Sequence, residues 1–99
     1  MALLTPDEIE AWRTRRAWRV EGAALVRDVE LADFAAAIAL VNRVAEAAEA
    51  AGHHPDILVH GYRHVRLTLS THSEGGITTA DLALAGRIDE LADARPEGA

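Results

Sequence analysis

The chain has no cysteine, and in its 99 residues there is a single phenylalanine, one tyrosine and two tryptophans. Without cysteine, neither a disulfide framework nor a thiolate metal site can form. With so few aromatic side chains and an apolar half rich in alanine, the core is expected to be thin. Close helix packing or association with another subunit must then make up the difference. Lysine is absent too: all ten basic residues are arginine, set against sixteen acidic ones for a net charge of −6. That balance lacks the dominant basic surface from which a nucleic-acid binder draws most of its affinity. No apolar run reaches membrane-spanning length, and the opening "MALLTPDEIE" lacks a basic start followed by a long apolar stretch. A soluble, cytoplasmic protein with neither a nucleic-acid nor a membrane partner is the expectation.

What is present fits one compact domain over residues 1–99, with the tail from about residue 93 to 99 frayed. Thr5 is placed to cap a helix over Pro6 to Arg16, with Pro6 at its first position and acidic residues in its first turn. Arg13, Arg15, Arg16 and Arg19 read as the solvated face of that helix. The stretches "WRVEG" and "AALVRDVEL" form a hairpin around Glu21 and Gly22. Residues 31–51 carry the strongest helical period, with Phe34, Ile38, Val41, Ala45 and Ala48 as the apolar stripe. Gly52 and Pro55 stop that helix. On this wheel Glu49 lies about 60° from the stripe centre, close enough to reach the segment that follows. A second hairpin joins a strand near Ile57–His60 to an alternating one in which Val65, Leu67 and Leu69 share a face. Thr78 and Asp81 then form a capping-box pair for a last helix carrying Leu84, Ile88 and Leu91 on one side. The order helix-hairpin-helix-hairpin-helix describes an α+β domain: a four-stranded antiparallel sheet with three helices packed on one face.

Five histidines raise the question of a metal, since imidazole is the commonest transition-metal ligand. Adjacent imidazoles at His53 and His54 rarely point the same way and no helical i, i+4 pair exists, so no metal site is expected. His60 and His64 read as structural or solvated. For His53 and His54 two readings stand side by side. They close a helix C-terminus, where a cationic ring is favoured, or they move protons, imidazole being an acid in one state and a base in the other. Three histidines, a carboxylate and nearby hydroxyls would suit the addition or elimination of water without a cofactor. Spacing alone leaves the choice open.

The run "EAAGHHPD" from Glu49, the aromatic Tyr62, the stretch "LSTHSEGGIT" and the following "DLALA" resemble the pterin-4a-carbinolamine dehydratases. That family carries Glu, three residues, His-His-Pro, an aromatic, Thr-His, a Gly-Leu/Ile-Thr/Ser turn and an Asp. The likeness extends from Leu4 to about Leu91 when Trp18 and Phe34 are counted. It implies a four-stranded antiparallel sheet with helices on one side, assembled as a homodimer or homotetramer. It also implies dehydration of a 4a-hydroxytetrahydropterin substrate to the quinonoid dihydropterin, with no cofactor, in a functional link to an aromatic amino-acid hydroxylase. By motif position His53, His54 and His72 would be the catalytic imidazoles. Glu49, Ser70, Thr71, Ser73 and Asp81 would line or support the pterin pocket. Asp81 keeps its second reading as the capping partner of Thr78.

The chain departs from the better-known animal members in two ways. The segment from Pro55 to Tyr62 is one residue longer, so a bulge or wider turn is expected near His60 and Gly61. Gly52 and Ser73 stand at positions that are often acidic, which bears on pocket polarity and not on the imidazoles. Two other functions compete. Relatives of this fold serve as dimerisation or assembly partners, which would make the chain a non-catalytic binding protein. An unrelated hydrolase is disfavoured, because no serine lies in a nucleophile-elbow context.

Overall fold

The computed structural model describes residues 2–94. Along them run α1 (Pro6–Arg13), β1 (Arg19–Glu21), β2 (Ala24–Glu30), α2 (Phe34–Ala51), β3 (Asp56–His60), β4 (His64–Leu69), a 3₁₀ turn (His72–Glu74) and α3 (Thr79–Asp93). The four strands form one antiparallel sheet in the order β1-β2-β4-β3. The tail expected to fray includes residues 95–99, which lie outside the described ones; Asp93 itself closes α3.

Strand alternation decides which side is buried. Leu25 pairs with Leu69 and Val29 with Val65, while Leu67 and Val65 meet Ile57 and Val59 across the other edge of β4. These side chains share the face covered by the helices, and there they meet Leu40 and Val44 of α2 and Leu84 and Ile88 of α3. The opposite face is mostly polar, with Val26 and Leu58 as its larger apolar residues. On it Arg66 and Arg19 clamp the exposed Asp28 and hold its carboxyl below the usual range.

The expected stripe of α2 is corrected. Its buried residues are Ala37, Leu40, Val44 and Ala48, whereas Phe34 is 54% exposed and Ala45 is exposed. The true stripe is turned by about 75° from the expected one, which sets Glu49 about 135° from its centre and accounts for that side chain's exposure. An alanine-rich helix offers more than one small apolar face, and the sheet selects the one bearing Leu40 and Val44.

The first helix also ends earlier than expected, at Arg13, with Thr14 out of helical geometry and Arg15 at a φ of +65°. That break turns the chain so that Trp18 enters the core at 2% exposure while Arg16 stacks on Trp12, 4.4 Å from the ring centre. The arginine cluster is therefore not a helix face. Arg13 pairs with Glu10, Arg16 with Asp89, and Arg19 with Glu21 and Asp28. Near His60 the chain turns through Gly61, Tyr62 and Arg63, and the register of β3 on β4 runs unbroken, without a bulge, to the His60–His64 pair.

A charged residue also lies on the covered face of the sheet. Arg27 of β2 sits opposite Leu67 on the covered face and reaches α3, where its guanidinium meets Asp89 and Asp93. Burial alone would lower its pKa, but the two carboxylates more than offset that and the net direction is upward.

Candidate active site

Four element ends converge at one end of the domain. Gly52, at a φ of +63°, terminates α2: its N–H reaches Glu49 O, and the His53 N–H closes back on Ala48 O at 3.2 Å. This paired closure is a Schellman turn, which reverses the chain and delivers His53 beside the helix it has just left. Pro55 then holds the backbone extended into β3, whose first residue, Asp56, lies opposite Thr68 of β4. The end of β4 is thereby brought alongside the histidine pair. From there Ser70 and Thr71 lead into the 3₁₀ turn, and a bridge between Thr71 and Gly76 folds the loop back so that Thr78 starts α3 next to Thr71.

The centre of this convergence is Asp81, which has no solvent exposure. As the third residue of α3 it completes a capping box, Oδ2 accepting the Thr78 N–H at 2.9 Å. The same oxygen accepts the Thr71 hydroxyl at 2.8 Å, and Oδ1 stands 2.5 Å from His53 Nε2. Thr71 Oγ1 also lies 2.8 Å from Thr78 Oγ1, which accepts the Ala80 N–H at 3.2 Å. This buried carboxylate at a helix N-terminus has backbone and hydroxyl donors on Oδ2 and turns Oδ1 to an imidazole nitrogen. It is well suited to orient an imidazole and to stabilise that ring when it takes a proton. The capping role expected of Asp81 is present in the geometry, and the structure adds a contact with an imidazole that the sequence did not point to.

The other expected site residues are placed less uniformly. His54 Nε2 lies 2.6 Å from Glu49 Oε2, and both side chains are exposed. Each neighbouring histidine thus has its own carboxylate. His72 and Ser73 stand exposed on the 3₁₀ turn directly after Thr71 and make no side-chain hydrogen bond to the described residues. Ser70 turns its hydroxyl to Ala23 O at 3.0 Å, toward the β1–β2 hairpin and away from Asp81. His60 and His64 face each other across β3 and β4 as stacked rings, 5.3 Å between centres.

Thr78 was expected only as a helix cap, yet its hydroxyl is the second link in the chain that ends on Asp81. Its place in the capping box was legible; its contact with Thr71 depends on the loop closure at Gly76. A small cavity of about 190 Å³ opens beside His53 and is lined by Ala47, Ala51, Ala80, Ala83, Leu84 and Arg87. A larger hollow between Trp12, Arg16 and the outer side of α3 holds none of the expected site residues. The concentration of paired histidines and carboxylates, not hollow size, locates the site. Among the described residues no group of three or more histidines and carboxylates is placed to hold a metal ion.

Comparison with known proteins adds an independent line. Residues 2–91 match the family model described as pterin 4 alpha carbinolamine dehydratase. A protein of Acidobacterium capsulatum, provisionally named pterin-4-alpha-carbinolamine dehydratase, is 50% identical over 92 residues, spanning 92% of this chain and 99% of its own. The crystal structure of a transcriptional coactivator/pterin dehydratase from Brucella melitensis superposes with a TM-score of 0.84 at 32% identity, covering 91% of this chain and 98% of that one. A pterin dehydratase-like protein identified as a RuBisCO assembly factor in the alpha-carboxysome superposes with a TM-score of 0.64 at 25% identity, over 79% of this chain and 89% of its own. With the fold, the histidine pair and the match over nearly the whole chain in agreement, this protein is a member of the pterin-4a-carbinolamine dehydratase family.

Proposed function

We propose that the chain is a working dehydratase, converting a 4a-hydroxytetrahydropterin to the quinonoid dihydropterin and water by histidine acid–base chemistry. The reaction asks for two proton transfers. The hydroxyl on C4a must leave with an added proton, while the N5 lone pair forms the C4a–N5 double bond and N5 gives up its hydrogen. One proton is given and one is taken, so two imidazoles suffice and no redox cofactor enters the balance. His53 and His72 take the proton transfers, and His54, held by Glu49, binds the ring. Thr71 serves through Asp81, whereas Ser70 and Ser73 contribute to the pocket rim.

The observation that carries this reading is the His53–Asp81 pair, a proton-transfer group backed by a fully buried carboxylate. A second reading, a partner protein on the same fold, gains support from the RuBisCO assembly factor among the similar structures. A purely structural role has no use for an imidazole that keeps 18% of its side chain exposed while resting on a buried acid, and that favours catalysis. The same reading makes the protein a cytoplasmic homodimer or homotetramer fed with carbinolamine by an aromatic amino-acid hydroxylase. Exposed Phe34 and Leu58, at 54% and 51%, provide apolar surface for subunit contacts.

The test is the rate at which 4a-hydroxytetrahydropterin, generated in place by a hydroxylase, disappears with wild type and with folded His53→Ala and His72→Ala variants. Loss of either imidazole is expected to lower the rate by about 10²–10⁴-fold. A well-folded wild type that gives no acceleration refutes the dehydratase.

A further inference from the structure

With Asp81 ionised, the hydrogen bonds around it admit a single arrangement of protons. The Thr71 hydroxyl has one proton and lies 2.8 Å from both Thr78 Oγ1 and Asp81 Oδ2. A carboxylate oxygen only accepts, so the Thr71 proton goes to Asp81, and Thr78 supplies the proton of the contact between the two hydroxyls. Thr78 Oγ1 in turn accepts from the Ala80 N–H. Donation therefore runs one way, from the first turn of α3 through Thr78 and Thr71 to Oδ2. Oδ1 is left to face His53 Nε2 at 2.5 Å, a separation that requires Nε2 to carry a hydrogen. A neutral imidazole has only one N–H, so the lone pair is on Nδ1. That atom is not sealed off: among the described residues the one buried side-chain nitrogen or oxygen without a partner is Arg27 Nε.

We propose that Asp81, anchored by Thr71 and Thr78, locks His53 in the Nε2–H form. Nδ1 is then the atom that exchanges protons with the substrate, and Thr78 is a positioning residue of the site. The Nδ1 role rests on the proton-transfer function given to His53 above; the locked tautomer does not. When His53 takes a proton it does so at Nδ1, the imidazolium is held by Asp81 through the unchanged Nε2–H, and the proton leaves again from Nδ1. The threonine hydroxyls carry no proton to or from the substrate; they fix which carboxylate oxygen faces the ring.

Asp81→Asn separates the two tasks of this carboxylate. The Thr78 N–H and the Thr71 hydroxyl still require an acceptor at the place of Oδ2, so the amide oxygen stays there and the helix cap is kept. The amide NH₂ must then face His53, which forces Nε2 to accept and moves the ring hydrogen to Nδ1. Nitrogen NMR of ring-labelled protein should show Nε2–H in wild type and Nδ1–H in Asp81→Asn. The same variant should lose kcat by at least about 100-fold with KM little changed. Thr78→Ser should match wild type, while Thr78→Val should quicken exchange of the His53 ring proton by about fivefold through loss of one hydrogen bond. Wild type with its hydrogen on Nδ1 overturns the proposal, and this measurement needs no variant to fold. So does a folded Asp81→Asn that keeps Nε2–H. The expected tautomers in a wild type without dehydratase activity overturn the assigned reaction and leave the locked ring standing.

Discussion

Replacing Asp89 by alanine should be among the most damaging single changes outside the apolar core. Asp89 lies on α3 with 15% side-chain exposure and gathers three donors. Trp18 Nε1 donates to Oδ1 at 2.7 Å, Arg27 donates to the same oxygen, and Arg16 reaches Oδ2 at 3.1 Å. Alanine leaves the buried Trp18 indole without an acceptor, which costs about 1–3 kcal/mol. It also leaves the Arg27 guanidinium with only Asp93, whose side chain is 65% exposed, as a carboxylate partner. Breaking a buried pair from one side costs about 3–5 kcal/mol when nothing else compensates. Since Asp93 remains, and the exposed Arg16 contact adds little, the expected loss is about 3–4 kcal/mol in total. For a domain of about 100 residues that corresponds to a fall in Tm of roughly 12–30 °C. Urea titration followed by tryptophan fluorescence measures the loss directly, with an unchanged m-value showing that the unfolding reaction is the same. The double variant Arg27→Met/Asp89→Leu should recover the share due to Arg27, because an apolar pair of similar volume removes the stranded charge, while the share due to the Trp18 indole persists. An Asp89→Ala protein within about 1 kcal/mol of wild type refutes the reasoning, as does a double variant no more stable than the single.

Two further predictions concern α2. Gly52→Ala should cost about 1 kcal/mol, all of it from the left-handed backbone, because a Cβ at that position meets nothing within 4 Å; a loss above about 3 kcal/mol in urea titration would show a hidden clash instead. Leu40→Ala should cost about 2–5 kcal/mol, whereas Phe34→Ala at dilute protein concentration should stay within about 0.5 kcal/mol. The reverse order of those two losses would restore the stripe expected from periodicity.

Local signals proved the most legible. Thr5 caps α1, Thr78 with Asp81 forms a capping box, Gly52 ends α2, and the alternation of Val65, Leu67 and Leu69 puts all three in the core. Each rests on residues within a few positions of one another, where backbone chemistry decides. The stripe of α2 did not yield in this way, because alanines on several sides of the helix give near-equal apolar faces and only the sheet distinguishes them. Arg27 was equally opaque: a charged residue inside an apolar strand gives no hint of carboxylates 62 and 66 positions later. The candidate site divides along the same line. Its histidines stand out in the sequence, and Glu49 is near enough to His54 for their pairing to be foreseeable. The partnership of His53 with Asp81, 28 residues away, and the Thr71–Thr78 link depend on how four element ends are brought together.

The double duty of Asp81 changes what a relative's sequence can reveal about its activity. A lineage that gave up catalysis would still need an acceptor there to begin α3, so an acidic residue at that position survives for architectural reasons alone. His53 and His72 have no such protection. His53 lends only its backbone N–H to the turn that closes α2, which almost any side chain permits, and His72 rides on an exposed loop. On the function proposed above, the imidazoles are the perishable part in a related genome, and their presence or loss, not that of the acid, would separate the members that still turn over substrate from those that have kept only the shape.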